Sequence, residues 1–159
     1  MVAILNYFKN KKSGFTLVEI MIVISIIAIL AWITIPNALR SRMTTNEIAA
    51  ITGLQTISKG AQLYYNDRDT YLGNITILTD AVPSYVIGFA GSGSIRSKVG
   101  YDFSFLGDVD SFNAVANSEG VNFGQRNFCT DQRGSIYQQP LATVYTASAS
   151  GNCAGSLIE

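Results

Sequence analysis

The sequence contains no histidine. That removes the commonest general base and the commonest transition-metal ligand. Nor does it hold a nucleophile–base pair, a glycine-rich phosphate loop or a metal-spaced ligand cluster. The chain therefore reads as no enzyme, with no cofactor. Net charge is also missing, since eleven bases balance eleven acids. The balance is uneven along the chain. Lys9, Lys11 and Lys12 precede Gly14 with no acid among them, so a chain cut after Gly14 is mildly acidic. A dedicated nucleic-acid binder would carry a basic face instead, and no specific nucleic acid is expected as a partner.

Cysteine is scarce. Cys129 and Cys153 are the only two, both late in the chain. If the front of the chain enters a membrane and the back lies outside the cytoplasm, a disulfide between them persists there. Two separate buried thiols are the alternative.

What the sequence has in quantity is an apolar run, from Phe15 to Ile35 and closed by Pro36. Its length, about twenty residues, is what a helix needs to cross a bilayer core. One carboxylate interrupts it, Glu19. An ionised acid at the centre of such a helix costs about 2.5–3.5 kcal/mol on insertion scales, so a partner for it is expected. A secretory signal peptide explains the basic start but needs a shorter apolar region and a small-residue cleavage site. A plain membrane anchor explains the length and leaves Glu19 unexplained. Cleavage between Gly14 and Phe15 explains both. The new amine on Phe15 lies four positions before Glu19 and is available to it or to a neighbour's carboxylate. Breaking such a buried pair costs about 3–5 kcal/mol, so the pair acts as a register pin during assembly.

Gly14-Phe15-Thr16-Leu17-Val18-Glu19 ahead of an apolar helix resembles the class III signal of type IV pilins and pseudopilins. The resemblance covers roughly residues 9–65. It implies a prepilin peptidase that cuts after Gly14 and methylates Phe15, and an assembly role for Glu19. It also implies a homopolymeric filament lifted out of the inner membrane by platform proteins and a cytoplasmic ATPase motor. The N-terminus of the precursor would be cytoplasmic and the C-terminal domain outside, later in the extracellular pilus. Three lysines before the span against Arg40 and Arg42 after it bias the orientation modestly that way. The two arginines read as solvated, with lipid headgroups or neighbouring acids as the alternative.

The implied fold class is α+β, a long N-terminal helix on a small antiparallel sheet. The expected divisions are a leader over 1–14, a transmembrane and assembly helix over 15–36, an amphipathic helix over 37–65 and a globular remainder over 66–159. Within the amphipathic part, Leu39, Met43, Ala50, Leu54, Ile57, Ala61 and Tyr64 form a stripe at helical spacing. Arg42, Thr45, Glu47, Thr52, Gln55 and Lys59 are assigned to the opposite face. Gly53 and Gly60 weaken the helix, or permit close packing. Pro36 is expected to kink the helix, or to close a helix-poor β-branched stretch. The resemblance implies that this stretch, Ala28–Pro36, is helical in the membrane and partly extended in the fibre. Trp32 reads as an interfacial anchor.

Residues to about Ser97 read as an irregular connection with an exposed, flexible Gly91–Gly93 tract. About four short strands follow. They are carried by Val99 to Phe105, Phe112 to Ala116, Asn127 to Thr130 and Ser135 to Tyr137. A Cys129–Cys153 bridge would close a polar C-terminal loop, worth roughly 3.5 kcal/mol of chain entropy. The resemblance implies that this loop is an exposed surface. Asp108 and Asp110 flank a turn and are weak candidates for calcium. Asn74-Ile75-Thr76 matches a glycosylation sequon, a pattern common by chance. Two further function classes stand beside the pilus subunit: a type II secretion pseudopilin, and a membrane-anchored binding protein or enzyme that never polymerises.

Overall fold

The computed structural model describes residues 14–158. The leader expected over 1–14 therefore lies outside the described residues, except for Gly14. The elements in chain order are α1 (Leu17–Arg68), β1 (Gly73–Asn74), α2 (Thr76–Thr79), β2 (Ile95–Lys98), β3 (Tyr101–Gly107), β4 (Phe112–Ser118), β5 (Arg126–Asp131), β6 (Ile136–Pro140) and β7 (Ser156–Leu157). The chain divides into two units, Met1–Ala38 and Leu39–Glu159.

The first unit holds the start of α1. Its helix is long and apolar enough to cross a membrane. From Leu17 to Ala38 every side chain is exposed except Ala31, which is half-buried. Isoleucine, valine and leucine thus face outward on all sides of the cylinder. A helix that is apolar all round is of the kind found in protein cores or spanning membranes. Ser25 and Thr34 turn their hydroxyls back onto the carbonyls of Met21 and Leu30, at 2.7 and 2.8 Å. That satisfies them without water. Ala28–Pro36 is helical, with Pro36 inside the element.

The second unit is α+β. The strands form an antiparallel sheet in the order β1-β3-β4-β5-β6-β7, and β2 pairs with β3 beside β1. From β3 onward each strand pairs with its successor in sequence. Alternation along the strands divides the side chains. Tyr101, Phe103, Phe105, Phe112, Ala114, Ala116 and Phe128 face one side and are buried in a core with Ala50, Leu54, Ile57 and Ala61 of α1. The two helix glycines sit where this packing is tightest. A Cβ on Gly53 would stand 2.8 Å from the Phe103 ring, and one on Gly60 would stand 2.2 Å from Val86 Cγ2. Close approach, rather than helix weakening, is their role.

Several expectations are corrected. Glu47, assigned to the outward face, is 93 % buried by its 7 % exposure, whereas Leu39 of the expected stripe is exposed and Met43 only half-buried. The buried positions 47, 50, 54, 57 and 61 keep one continuous three-and-four spacing, so geometry overrides polarity at Glu47. The connection before Ser97 is less irregular than expected. It carries β1, α2 and β2, and Arg96 is buried within it. The Arg96 guanidinium pairs with Asp80, donates to the Gly91 carbonyl and bonds Thr79 Oγ1. Val99 is not a strand residue. It and Gly100 form the two-residue turn between β2 and β3, with φ of 53° and 73°. A two-residue hairpin turn of this hand needs positive φ at both positions, which overrides the apolar alternation at Val99.

Candidate assembly and surface sites

The first candidate site is the start of α1. Glu19 N–H donates to Thr16 Oγ1 at 3.2 Å, while Thr16 N–H and the Thr16 hydroxyl donate to Glu19 Oε2 at 2.8 and 2.9 Å. This is a capping box. The side chain at the N-cap and the side chain three residues on satisfy each other's backbone donors. The carboxylate also lies at the positive end of the helix dipole. Among the described residues, Glu19 Oε1 accepts no hydrogen bond. Phe15 is 84 % exposed, and a Cβ on Gly14 would meet nothing within 4 Å. Thr16 was absent from the sequence-based site, although its Thr-x-x-Glu spacing is a readable capping signal.

The second site joins α1 to the β4–β5 loop. Glu47 Oε1 accepts from Gln125 N–H at 2.9 Å. Glu47 Oε2 accepts from Arg126 Nε at 3.1 Å and Nη2 at 2.5 Å. Arg126 Nη1 donates to Gln138 Oε1 at 2.6 Å, and Asn46 Nδ2 donates to the Phe123 carbonyl at 3.0 Å. These bonds anchor the loop to the helix beside a cleft of about 480 Å³ that Arg40 also lines. Arg40 and Arg42 make no ion pair among the described residues. Tyr101 lies beneath the loop and donates to the Arg126 carbonyl at 2.9 Å. Burial, helped by the Glu47 charge, pushes its phenol up to about 12.

The third site is the outer face of the sheet. Cys129 and Cys153 form a disulfide with their Cα atoms 5.8 Å apart. The chain between β6 and β7 crosses this face as a strap with no strand pairing of its own. Three asparagines hold it. Asn117 Nδ2 donates to the Tyr145 carbonyl at 2.8 Å and its Oδ1 accepts from Tyr145 N–H at 2.9 Å. Asn127 Nδ2 donates to the Thr143 carbonyl at 2.8 Å. Asn113 Nδ2 donates to the Asn152 carbonyl at 3.2 Å, and its Oδ1 accepts from Ser148 N–H at 3.3 Å. Tyr145 is buried against Val115 and Cys129. Burial raises its phenol to about 12. The loop is thus less open than expected: Tyr145 and Gly151 are buried, while Val144, Thr146 and Ser150 are exposed.

Asp108 and Asp110 are both exposed, and Asp108 Oδ1 is occupied by Val109 N–H at 2.8 Å. Among the described residues no three groups of the acidic, cysteine or histidine type converge on a point. The sequon asparagine, Asn74, ends β1 and accepts from the N–H and hydroxyl of Thr76, the first residue of α2, at 2.9 and 2.5 Å.

Comparison with known proteins decides the family. A model of the prokaryotic N-terminal methylation motif matches residues 9–35, a stretch that contains Gly14, Phe15, Thr16 and Glu19. Prepilin peptidase-dependent protein D of Escherichia coli is 31% identical over 144 residues, 86% of this chain and 95% of that protein. The chain belongs to the type IV pilin and pseudopilin superfamily. The pilin is also 43% identical over 66 residues to the type IV wide pilus major component of Thermus thermophilus, covering 42% of this chain and 50% of that one. Type II secretion system core protein G of Aeromonas hydrophila is 32% identical over 63 residues, 40% of this chain and 44% of that protein. The chain therefore spans about half the length of these last two relatives. No solved structure matches it significantly.

Proposed function

We propose that this pilin is the structural subunit of a type IV pilus. It is cut after Gly14 by a prepilin peptidase, methylated on Phe15 and polymerised through the apolar part of α1. The observation that carries the reading is the bare apolar helix that opens in the Thr16–Glu19 capping box, within a chain related over nearly its whole length to a prepilin peptidase-dependent protein. The precursor waits in the inner membrane with its N-terminus cytoplasmic. Thr16 holds Glu19 Oε2, which leaves Oε1 to receive the Phe15 amine once cleavage has created it. A subunit out of axial register buries that amine and carboxylate unpaired, so register is enforced at entry.

Assembly exchanges lipid for neighbouring helices. Both are apolar, so packing and polar pairing rather than hydrophobicity select the partner. Work to extract the subunit comes from platform proteins and an ATPase motor. The Pro36 region, which cannot donate to the Trp32 carbonyl, is where α1 would loosen in the fibre. The similarity to type II secretion core protein G keeps a pseudopilin role as the second reading. Electron microscopy of filaments sheared from cells, with peptide identification, tests the assignment. Long surface filaments built of this chain support the pilus. Their absence alongside a loss of protein secretion on deletion supports the pseudopilin.

A further inference from the structure

The disulfide is held asymmetrically. Cys129 is fully buried in β5, whereas Cys153 is partly exposed in the strap. Asn113, itself 2 % exposed, aims its Nδ2 at the buried sulfur, 3.2 Å from Cys129 Sγ against 3.7 Å from Cys153 Sγ. An N–H donor beside sulfur favours the thiolate over the thiol, as any hydrogen bond to the charged form does. The strap itself is anchored by backbone only at its ends. Leu141 N–H bonds the Gln125 carbonyl, and β7 pairs with β6. Its middle is held by side chains of Ser111, Asn113, Asn117 and Asn127, by Tyr145 packed on Val115, and by the disulfide.

We propose that the strap is a redox-operated clasp with a fixed polarity. A thiolate of a dithiol reductant attacks Cys153 Sγ, the exposed end. A bond forms between the reductant's sulfur and Cys153, the Cys153–Cys129 bond breaks, and the electron pair remains on Cys129 Sγ. Asn113 Nδ2 is already in place to stabilise that leaving thiolate, whose departure is faster the more acidic it is. The reductant's second thiol then displaces Cys153, takes the mixed disulfide apart and leaves as an oxidised disulfide. Two electrons pass to the protein, and the reductant's two protons go to the protein thiols or to solvent. Once open, the strap lifts between Thr143 and Gly155 and uncovers Val115 and the three asparagines, while β1 to β6 stay in place.

The test uses the full chain in detergent. Glutathione offered under denaturant-free, mildly reducing conditions should be trapped on Cys153 and not on Cys129, read by peptide mass spectrometry. Dithiothreitol should then make residues 143–152 susceptible to protease while the rest resists. Glutathione on Cys129, or a strap as protected after reduction as before, overturns the proposal. Two variants separate the thiolate role from a merely structural one. Ser111→Ala loosens the strap without touching sulfur, and reduction by dithiothreitol should be unchanged or faster. Asn113→Leu should slow reduction by up to about tenfold and shift the potential to more negative values. If Asn113→Leu instead speeds reduction as Ser111→Ala does, Asn113 is only a tether and the polarity claim fails. If Asn113→Leu does not fold, the glutathione position in the unmodified chain decides.

Discussion

The hydroxyl and the backbone N–H of Thr16 both donate to one oxygen of Glu19, and Glu19 N–H returns a bond to that same hydroxyl. The acid that looks misplaced in an apolar helix is therefore part of the helix's own beginning. Its second oxygen accepts no hydrogen bond among the described residues, and under the proposed function it receives the amine that cleavage would create. Removing the hydroxyl should show how much this preparation matters. Thr16→Val is expected to leave membrane insertion and cleavage intact, because the backbone donor remains, and to reduce filament yield. Thr16→Ser should restore it. The cap lost is worth about 0.5–2 kcal/mol. Wild-type yield from Thr16→Val, measured on sheared filaments, would remove Thr16 from the assembly site.

Gly14 is a cleaner probe of processing than of folding. Nothing lies within 4 Å of where its Cβ would stand. Gly14→Ala should be processed in part, and Gly14→Leu should retain the leader. Intact mass of the membrane fraction reads this directly. An intact leader on the unmodified protein would overturn the cleavage reading altogether.

Glu47 supports the β4–β5 loop through bonds to Gln125 and Arg126. Glu47→Ala leaves the Gln125 N–H unpaired and Arg126 without its carboxylate. Hydrogen bonds to a charged group are worth about 1.5–3 kcal/mol, but the Arg126 side chain is 44 % exposed, so water recovers part of the loss. A destabilisation near the lower end, about 1–2 kcal/mol, is expected in urea unfolding. Asn46→Ala should cost less, since it breaks one neutral bond at 3.0 Å.

Helix propensity and packing oppose each other at Gly60. Alanine is the better helix former by up to about 1 kcal/mol. Its Cβ would stand 2.2 Å from Val86 Cγ2 and 3.0 Å from the Tyr85 carbonyl oxygen. Backbone cannot yield as a side-chain tip can, so Gly60→Ala should be a net loss of about 1–2 kcal/mol. A rise in Tm for this variant would mean that the loop bearing Val86 gives way freely.

Tyr101 carries an alkaline signature. Burial beside Glu47 raises its phenol to about 12, above the ordinary value of 10. A raised acid pKa means that the fold prefers the neutral form. This contribution is complete below pH 10 and is lost as pH climbs through about 12. Stability of the unmodified protein should fall across that window. Tyr101→Phe should flatten part of the fall, with Tyr145, also raised to about 12, and Tyr71 and Tyr85, both raised, contributing to the remainder. An unchanged alkaline slope in the Phe variant would contradict this.

The strands from Tyr101 to Pro140 were largely legible because their apolar alternation has period two and turn residues separate them. The helix was legible to within a few residues of its end at Arg68. β1, β2 and β7 were not, because two- to four-residue strands carry too little periodicity to stand out. Val99 was misread for a related reason. Its apolar character fits a strand, but the hairpin register places it at a positive-φ turn position.

Two kinds of information divide this protein. The apolar span, its interruption by Glu19 and the Thr-x-x-Glu box lie within a few neighbouring residues, so sequence alone determines them. Glu47 is different. Polarity alone assigns it to water, and only bonds to partners 78 and 79 residues away make it a buried anchor. Likewise, Asn113, Asn117 and Asn127 become a clamp only when β4 and β5 pair and turn them to the same face. Local patterns obey the periods of helix and strand. The partners of a buried polar group are chosen by the tertiary fold, because leaving that group without one costs free energy.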